Sequence, residues 1–166
     1  MNKQIIKYIV SVGIVVAITV FIFSNSFKGY DASRYTSDAV SNIILPHKYA
    51  TSETASLIVR KFAHLIEYAA LGMAVMHLVK CIVKDYQKKL YALACFYALF
   101  VAVLDEHIQS FSNRKSSTGD ILLDFFGALI GFAIVITIHF VYMKLKKRKE
   151  RRSFVEMVLE TEQKEK

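Results

Sequence analysis

Between Lys7 and Lys28 the chain runs for 20 residues without a charge, and its core over residues 9–23 is mostly Ile, Val and Phe. At about 1.5 Å of rise per residue, a helix of that length covers about 30 Å, the thickness of a bilayer's hydrocarbon layer. The β-branched content would favour strand in water. Inside lipid every backbone amide has to be bonded within its own segment, which selects helix. Three further stretches follow: residues 62–79, with His64 and Glu67 in the first turns; residues 90–104, uncharged for 15 residues; and residues 121–143, with Asp124 followed by 19 uncharged residues. The third is short for a crossing and needs a few residues from the Asp105 end. None alternates polar and apolar residues as the strands of an outer-membrane barrel do. A chain of 166 residues, 54% apolar and 22% charged, is therefore expected to be an all-α integral membrane protein, a four-transmembrane-helix bundle with little room for a soluble domain.

Flanking charges orient the spans. Lys3 and Lys7 precede the first, and Lys80, Lys84, Lys88 and Lys89 stand against Asp85 alone between the second and third. Lys144, Lys146, Lys147, Arg148, Lys149, Arg151 and Arg152 follow the fourth, whereas the connection 105–120 sets Arg114 and Lys115 against three acids. The positive-inside rule then places both termini in the cytoplasm (N-in, C-in) and both acid-containing connections outside, in a multi-pass protein of the plasma membrane. Residues 21–27 offer no small-x-small cleavage site, so the first span is expected to remain as an anchor. A short extracellular interfacial helix is expected over residues 35–45, ended by Pro46. The second span is expected to start well before the lipid, capped by Thr51 or Ser52 with Glu53 in its first turn. Residues 1–143 form the membrane domain. Residues 144–166 read as a basic amphipathic tail on the inner leaflet, with Phe154, Val155, Val158 and Leu159 at helical spacing. With no reading helix or stacking platform beside the basic run, no nucleic acid partner is expected.

The unusual polar residues gather at one end of the bundle. His64 and Glu67 open the descending second span with Arg60 and Lys61 above them, the ascending third ends in Asp105, Glu106, His107 and Gln109, and the fourth descends from Asp120 with Asp124 one turn deeper. Five acids thus converge on one layer. Asp120, Asp124, Gly127 and Gly131 share a helix face, and the two glycines form a small-xxx-small surface suited to close contact. Ala94, Ala98, Ala102, Asp105 and Gln109 share another, and Arg60, His64, Glu67 and Ala74 fall roughly together. The acids are therefore expected to point into the bundle. An ionised Asp at the centre of a membrane helix costs about 2.5–3.5 kcal/mol on insertion scales. Partners are needed, from His64, Arg60, Lys61 and Arg114 or from a proton shared between carboxylates. A polar lock on helix register is the bland alternative. Interhelical bonds in membranes average only about 0.6 kcal/mol, which accounts poorly for so many ionisable groups. Tyr68 by itself reads as an interfacial anchor, and His77 and His139 as packing or interfacial residues.

The stretches Arg60-Lys61-Phe62-Ala63-His64-Leu65-Ile66-Glu67-Tyr68, Asp105-Glu106-His107-Ile108-Gln109-Ser110-Phe111-Ser112-Asn113-Arg114 and Asp120-Ile121-Leu122-Leu123-Asp124-Phe125-Phe126-Gly127 together resemble the signature of the VanZ-like family. The resemblance covers about residues 5–140, including the four-span layout and the Phe23-Ser24 end of the first span. It maps the family pattern onto Lys61, His64, Glu67, Tyr68, Asp105, Glu106, Gln109, Phe111, Arg114, Asp120, Asp124 and Gly127. His107 falls at a variable position, and the basic tail lies outside. The resemblance implies a setting, the Gram-positive cell envelope, where some members lower susceptibility to teicoplanin and related lipid-anchored glycopeptide antibiotics. It implies no agreed biochemical activity.

Two functional classes stay open, and with them whether the protein is an enzyme. As an enzyme it would process an anionic envelope lipid or a lipid-linked cell-wall precursor, with His64, Glu67, Asp105, Glu106, Asp120 and Asp124 on the catalytic side. Arg60, Lys61, Tyr68, Gln109 and Arg114 would bind the ligand, Arg114 with Arg60 or Lys61 holding a phosphate or carboxylate of the headgroup. His64 or Glu67 would be the general base, oriented by a second carboxylate such as Asp124. Oxygen-rich ligation by Asp105, Asp120 and Asp124 would suit a divalent cation, Mg²⁺ or Ca²⁺. His64-x-x-Glu67 lacks the His-Glu-x-x-His spacing of zinc peptidases, and no Gly-x-Ser-x-Gly elbow or Walker loop is present. As a binding or shielding protein, the same cluster would hold lipid headgroups or a peptidoglycan-precursor end without chemistry. A transporter lacks its usual midplane charge or broken-helix pair. A homo-oligomer is compatible with either class.

Overall fold

The computed structural model describes residues 3–27, 30–44, 53–82, 88–111 and 117–164. Five helices account for nearly all of them: α1 Lys3–Ser26, α2 Tyr30–Ile44, α3 Glu53–Ile82, α4 Lys88–Phe111 and α5 Thr118–Lys164. α1, α3, α4 and α5 are each long and apolar enough to cross a membrane, so this is an all-α, multi-pass membrane protein with one short extra helix, α2.

The helices outrun the uncharged stretches that announce them. α3 begins by Glu53, nine residues before residue 62. α4 carries on through Asp105 and Glu106 to Phe111 because both acids are buried inside the bundle, where neighbouring helices supply hydrogen-bond donors. α2 begins at Tyr30, earlier than residue 35; its expected stop at Pro46, like the Thr51 or Ser52 cap, lies outside the described residues.

Side-chain pairs fix the relative directions. Asn25 meets Glu67 and Ser11 meets Cys81, so α1 and α3 are antiparallel. Ser26 meets Asp105 while Thr19 meets Tyr97, so α1 and α4 run the same way. Lys80 bonds Tyr91 at 2.6 Å, which with His64 near Asp105 makes α3 and α4 antiparallel. The pairs Lys61–Asp120 and His64–Asp124 make α3 and α5 parallel. The four long helices therefore alternate in direction along the chain. α1 packs on α3 and α4, α2 on α3, and α3 on α4.

A close seam joins α3 to α5, and glycine makes it. A Cβ on Gly72 would run into the backbone of Ala128, and one on Gly131 into the carbonyl of Ala69 and the amide of Met73. A Cβ on Gly127 would lie 2.7 Å from the Leu65 carbonyl oxygen. Lipid tails are as apolar as the side chains, so no hydrophobic force brings these helices together. Dispersion between closely matched backbones does, and only small residues allow it. The seam also turns α3. Tyr68, Leu71, Gly72, Val75 and Val79 face the core, His64 and Glu67 sit at the edge of that face, and Ala74 is only half-buried. On α4, Ala94, Ala98, Ala102, Asp105 and Gln109 are all buried, as their shared face predicts. Outward, Ile9, Val16, Val20 and Phe21 of α1 are exposed, an arrangement suited to hydrocarbon rather than water.

The chain divides into two compact units, Met1–Phe132 and Ala133–Lys166. The first holds the helix packing described above. The second is the remainder of α5 and includes the basic run 144–152; within it Lys146 Nζ and Glu150 Oε1, one turn apart, lie 3.8 Å from each other.

Replacing Gly72 or Gly131 by Val should lower the stability of the detergent-solubilised protein by at least about 1–3 kcal/mol, the usual cost of overpacking. Gly13→Ala, with nothing within 4 Å of the added Cβ, should not lower the thermal unfolding temperature.

Candidate functional site

All four long helices contribute to one polar layer, at the end of the bundle where α1 and α4 finish and α3 and α5 begin. Its centre is Asp105 on α4, which is 0% exposed. Ser26, the last residue of α1, donates its hydroxyl to Asp105 Oδ1 at 2.5 Å, and Gln109 donates Nε2–H to Oδ2 at 2.9 Å. His64 Nδ1 of α3 lies 3.9 Å from Asp105 Oδ2 and 4.0 Å from Asp124 Oδ1 of α5. One ligating atom from each of these three residues falls within 4.8 Å of the others, a group able to coordinate a divalent cation. Asp124 is 2% exposed, whereas the His64 side chain retains 16%, so His64 is the member that reaches the surface.

The flanking residues are held just as specifically. Asn25 of α1 donates Nδ2–H to Glu67 Oε1 at 2.9 Å. Tyr68 is wholly buried rather than an interfacial anchor. Its hydroxyl makes no hydrogen bond among the described residues, and Asp105, Asp124 and Glu67 are its electrostatic neighbours. Glu106, also buried, accepts the backbone N–H of Ser117 through Oε1 at 2.5 Å. Ser117 caps α5: its hydroxyl accepts the Gly119 N–H at 3.2 Å and its carbonyl the Asp120 N–H at 3.0 Å. Glu106 thereby fastens the start of α5 to the end of α4.

At the rim, Lys61 Nζ donates to Asp120 Oδ1 at 2.7 Å, with both side chains reached by solvent or headgroups. Such an exposed pair stabilises by at most about 1 kcal/mol. Asp120 is thus drawn to the rim, and His64 stands with Asp105 and Asp124 where a third carboxylate was expected. Arg60 is half-buried one turn before His64. Arg114 lies outside the described residues. His107 is exposed and packs edge-on against Phe111 at 5.0 Å, away from the cluster.

Sequence reasoning drew the site from three helices and missed the fourth. Ser26 and Asn25 donate to Asp105 and Glu67, and the readable signal was the polar run Ser24-Asn25-Ser26 closing an otherwise apolar span at the same end. Chemically, the layer sets an imidazole against two buried carboxylates. That arrangement could bind a cation, and a direct proton exchange between His64 and either acid would need the gaps of 3.9 and 4.0 Å to close.

A family model described as VanZ/LLP1 matches residues 9–140. Among curated proteins and among solved structures, none matches the chain significantly.

Ser26→Ala should destabilise the protein by about 1–2 kcal/mol, the upper range for an interhelical bond in a membrane, because Asp105 loses a donor from another helix. Ser24→Ala removes only a bond to its own helix, at the Val20 carbonyl, and should be neutral in the same thermal-unfolding assay.

Proposed function

The chain belongs to the VanZ/LLP1 family, and we propose that its polar layer processes an anionic envelope lipid or a lipid-linked cell-wall precursor entering from the outer leaflet. The observation that carries this reading is the meeting of three features at one end of α3: a displaceable cation, an apolar cleft, and an imidazole over buried carboxylates. The cleft, of about 200 Å³, is lined by Ile58, Phe62 and Leu65 of α3 and Leu123 of α5, and Lys61 borders it. An acyl or prenyl chain fits such a wall. Its phosphate would exchange with Asp120 for Lys61, aided by Arg60 and Arg114. The positive-inside count supports placing this end outside.

In this mechanism His64 is the general base, because it alone of the central three is partly exposed. Asp105 and Asp124 orient it and stabilise the imidazolium that forms, and Glu67, held by Asn25, is the second acid–base group. Of the Mg²⁺ or Ca²⁺ ligands expected at Asp105, Asp120 and Asp124, the arrangement keeps two and exchanges Asp120 for His64. A second reading, capture or shielding of the headgroup without turnover, is favoured by Asp105, both of whose oxygens already accept hydrogen bonds. Either activity would alter the lipid-side material that teicoplanin-type glycopeptides meet.

The full chain reconstituted in vesicles with labelled anionic envelope lipids should yield a modified lipid, detected by mass spectrometry. Glu67→Gln and Asp124→Asn should each lower turnover by about 10²-fold or more while lipid still binds. Stoichiometric binding by the wild type with no product would replace processing by shielding.

A further inference from the structure

The central cluster carries a charge imbalance that no buried cation among the described residues corrects. Asp105 and Asp124 are both buried within membrane-spanning helices, yet no lysine or arginine among the described residues is buried. Lys61 pairs with Asp120 at the rim, away from the central three residues. Ser26 and Gln109 offer Asp105 only neutral dipoles. Two carboxylates removed from water require about two positive charges, as protons or as a bound cation.

We propose that His64, Asp105 and Asp124 bind one first-row transition dication of the Zn²⁺ type. Four observations lead there. The ligating atoms converge from three different helices, within 4.8 Å of one another. Ligands held at about 2.0–2.1 Å in tetrahedral geometry lie about 3.4 Å apart, so the two His64 separations of 3.9 and 4.0 Å need to close by about half an ångström and the carboxylate pair, within 4.8 Å, by at most about 1.4 Å. Tyr68 supplies a wholly buried hydroxyl that makes no hydrogen bond among the described residues and has both aspartates as neighbours, placing a fourth oxygen beside the ion. Lastly, Asp105 is already oriented by Ser26 and Gln109, the outer-shell support that ligating carboxylates ordinarily have.

The donor set selects the ion. An imidazole nitrogen beside carboxylate oxygens suits Zn²⁺ and its neighbours. Ca²⁺ takes six to eight oxygens and Mg²⁺ keeps several waters, for which carboxylates 0% and 2% exposed leave little access. Bound here, such an ion would supply Lewis-acid polarisation to a headgroup oxygen that takes the place of Tyr68, and with His64 held as a ligand the general-base role would fall to Glu67. The inference deepens the headgroup reading and rests on it for the ion's use, but metal uptake can be measured without any lipid substrate.

The test uses the full chain, purified in detergent, stripped with chelator and titrated with Zn²⁺ alone. One Zn²⁺ per chain is expected, with X-ray absorption showing one imidazole nitrogen and oxygens at about 2.0–2.1 Å. His64→Ala and Asp124→Asn should each weaken uptake by about tenfold or more. Asp120→Asn should not, which separates this site from the all-carboxylate alternative. The double variant H77A/C81S should not either, which excludes the His77–Cys81 pair, whose Nε2 and Sγ lie 3.6 Å apart. Folded wild type that takes up no stoichiometric Zn²⁺, or a zinc shell without imidazole, overturns the proposal and leaves protons as the balancing charge. That wild-type spectrum decides the matter even where a variant fails to fold. Zinc bound without lipid turnover would sink only the headgroup reading, and turnover without zinc would sink only the metal.

Discussion

A carboxylate buried in a membrane-spanning helix has no water to turn to, and Asp105 is such a carboxylate. Its two oxygens are answered from α1 by Ser26 and from its own helix by Gln109, while His64 and Asp124 approach from α3 and α5. One residue thereby makes four helices interdependent at a single depth. The ends of α1 and α4 and the starts of α3 and α5 have to meet where it sits, because the cost of leaving it unpaired in hydrocarbon exceeds what any single helix contact returns. Glu106, one residue on, repeats the device by holding the cap of α5.

The polar layer alone would not hold helices together. Below it, Gly72, Gly127 and Gly131 bring the backbones of α3 and α5 into direct contact, and this seam sets the rotation that presents His64 to both aspartates. Stability and site geometry are therefore coupled: a side chain at Gly72 would spread the helices whose spacing defines the cluster. The rim works differently. Lys61 is exposed and Asp120 half-buried, their attraction is weak, and breaking it would leave the packed layer in place.

Four spans and a polar end were legible in the chain because both follow from one-dimensional rules. Uncharged length sets a crossing, and alternating helix direction carries the polar ends of α3, α4 and α5 to one side. The inward faces of α4 and α5 were readable too, since Ala and Gly at helical spacing mark where backbones can approach. The inward face of α3 was not. Helical spacing marks its polar residues as the inner line, whereas the seam at Gly72 turns Tyr68 and Leu71 inward and leaves His64 and Glu67 at the edge.

By itself the sequence determined that this chain enters a membrane as helices and that its acids share a level, because hydrocarbon thickness and backbone hydrogen bonding leave no other economical solution. Only the tertiary structure decided which acids meet. Asp120 and Asp124 are one helical turn apart and look equivalent in sequence, yet one faces Lys61 at the rim and the other His64 in the core. Ser26, Asn25 and Ser117 became partners only through folding, because contacts between helices depend on rotation and register that no single span encodes.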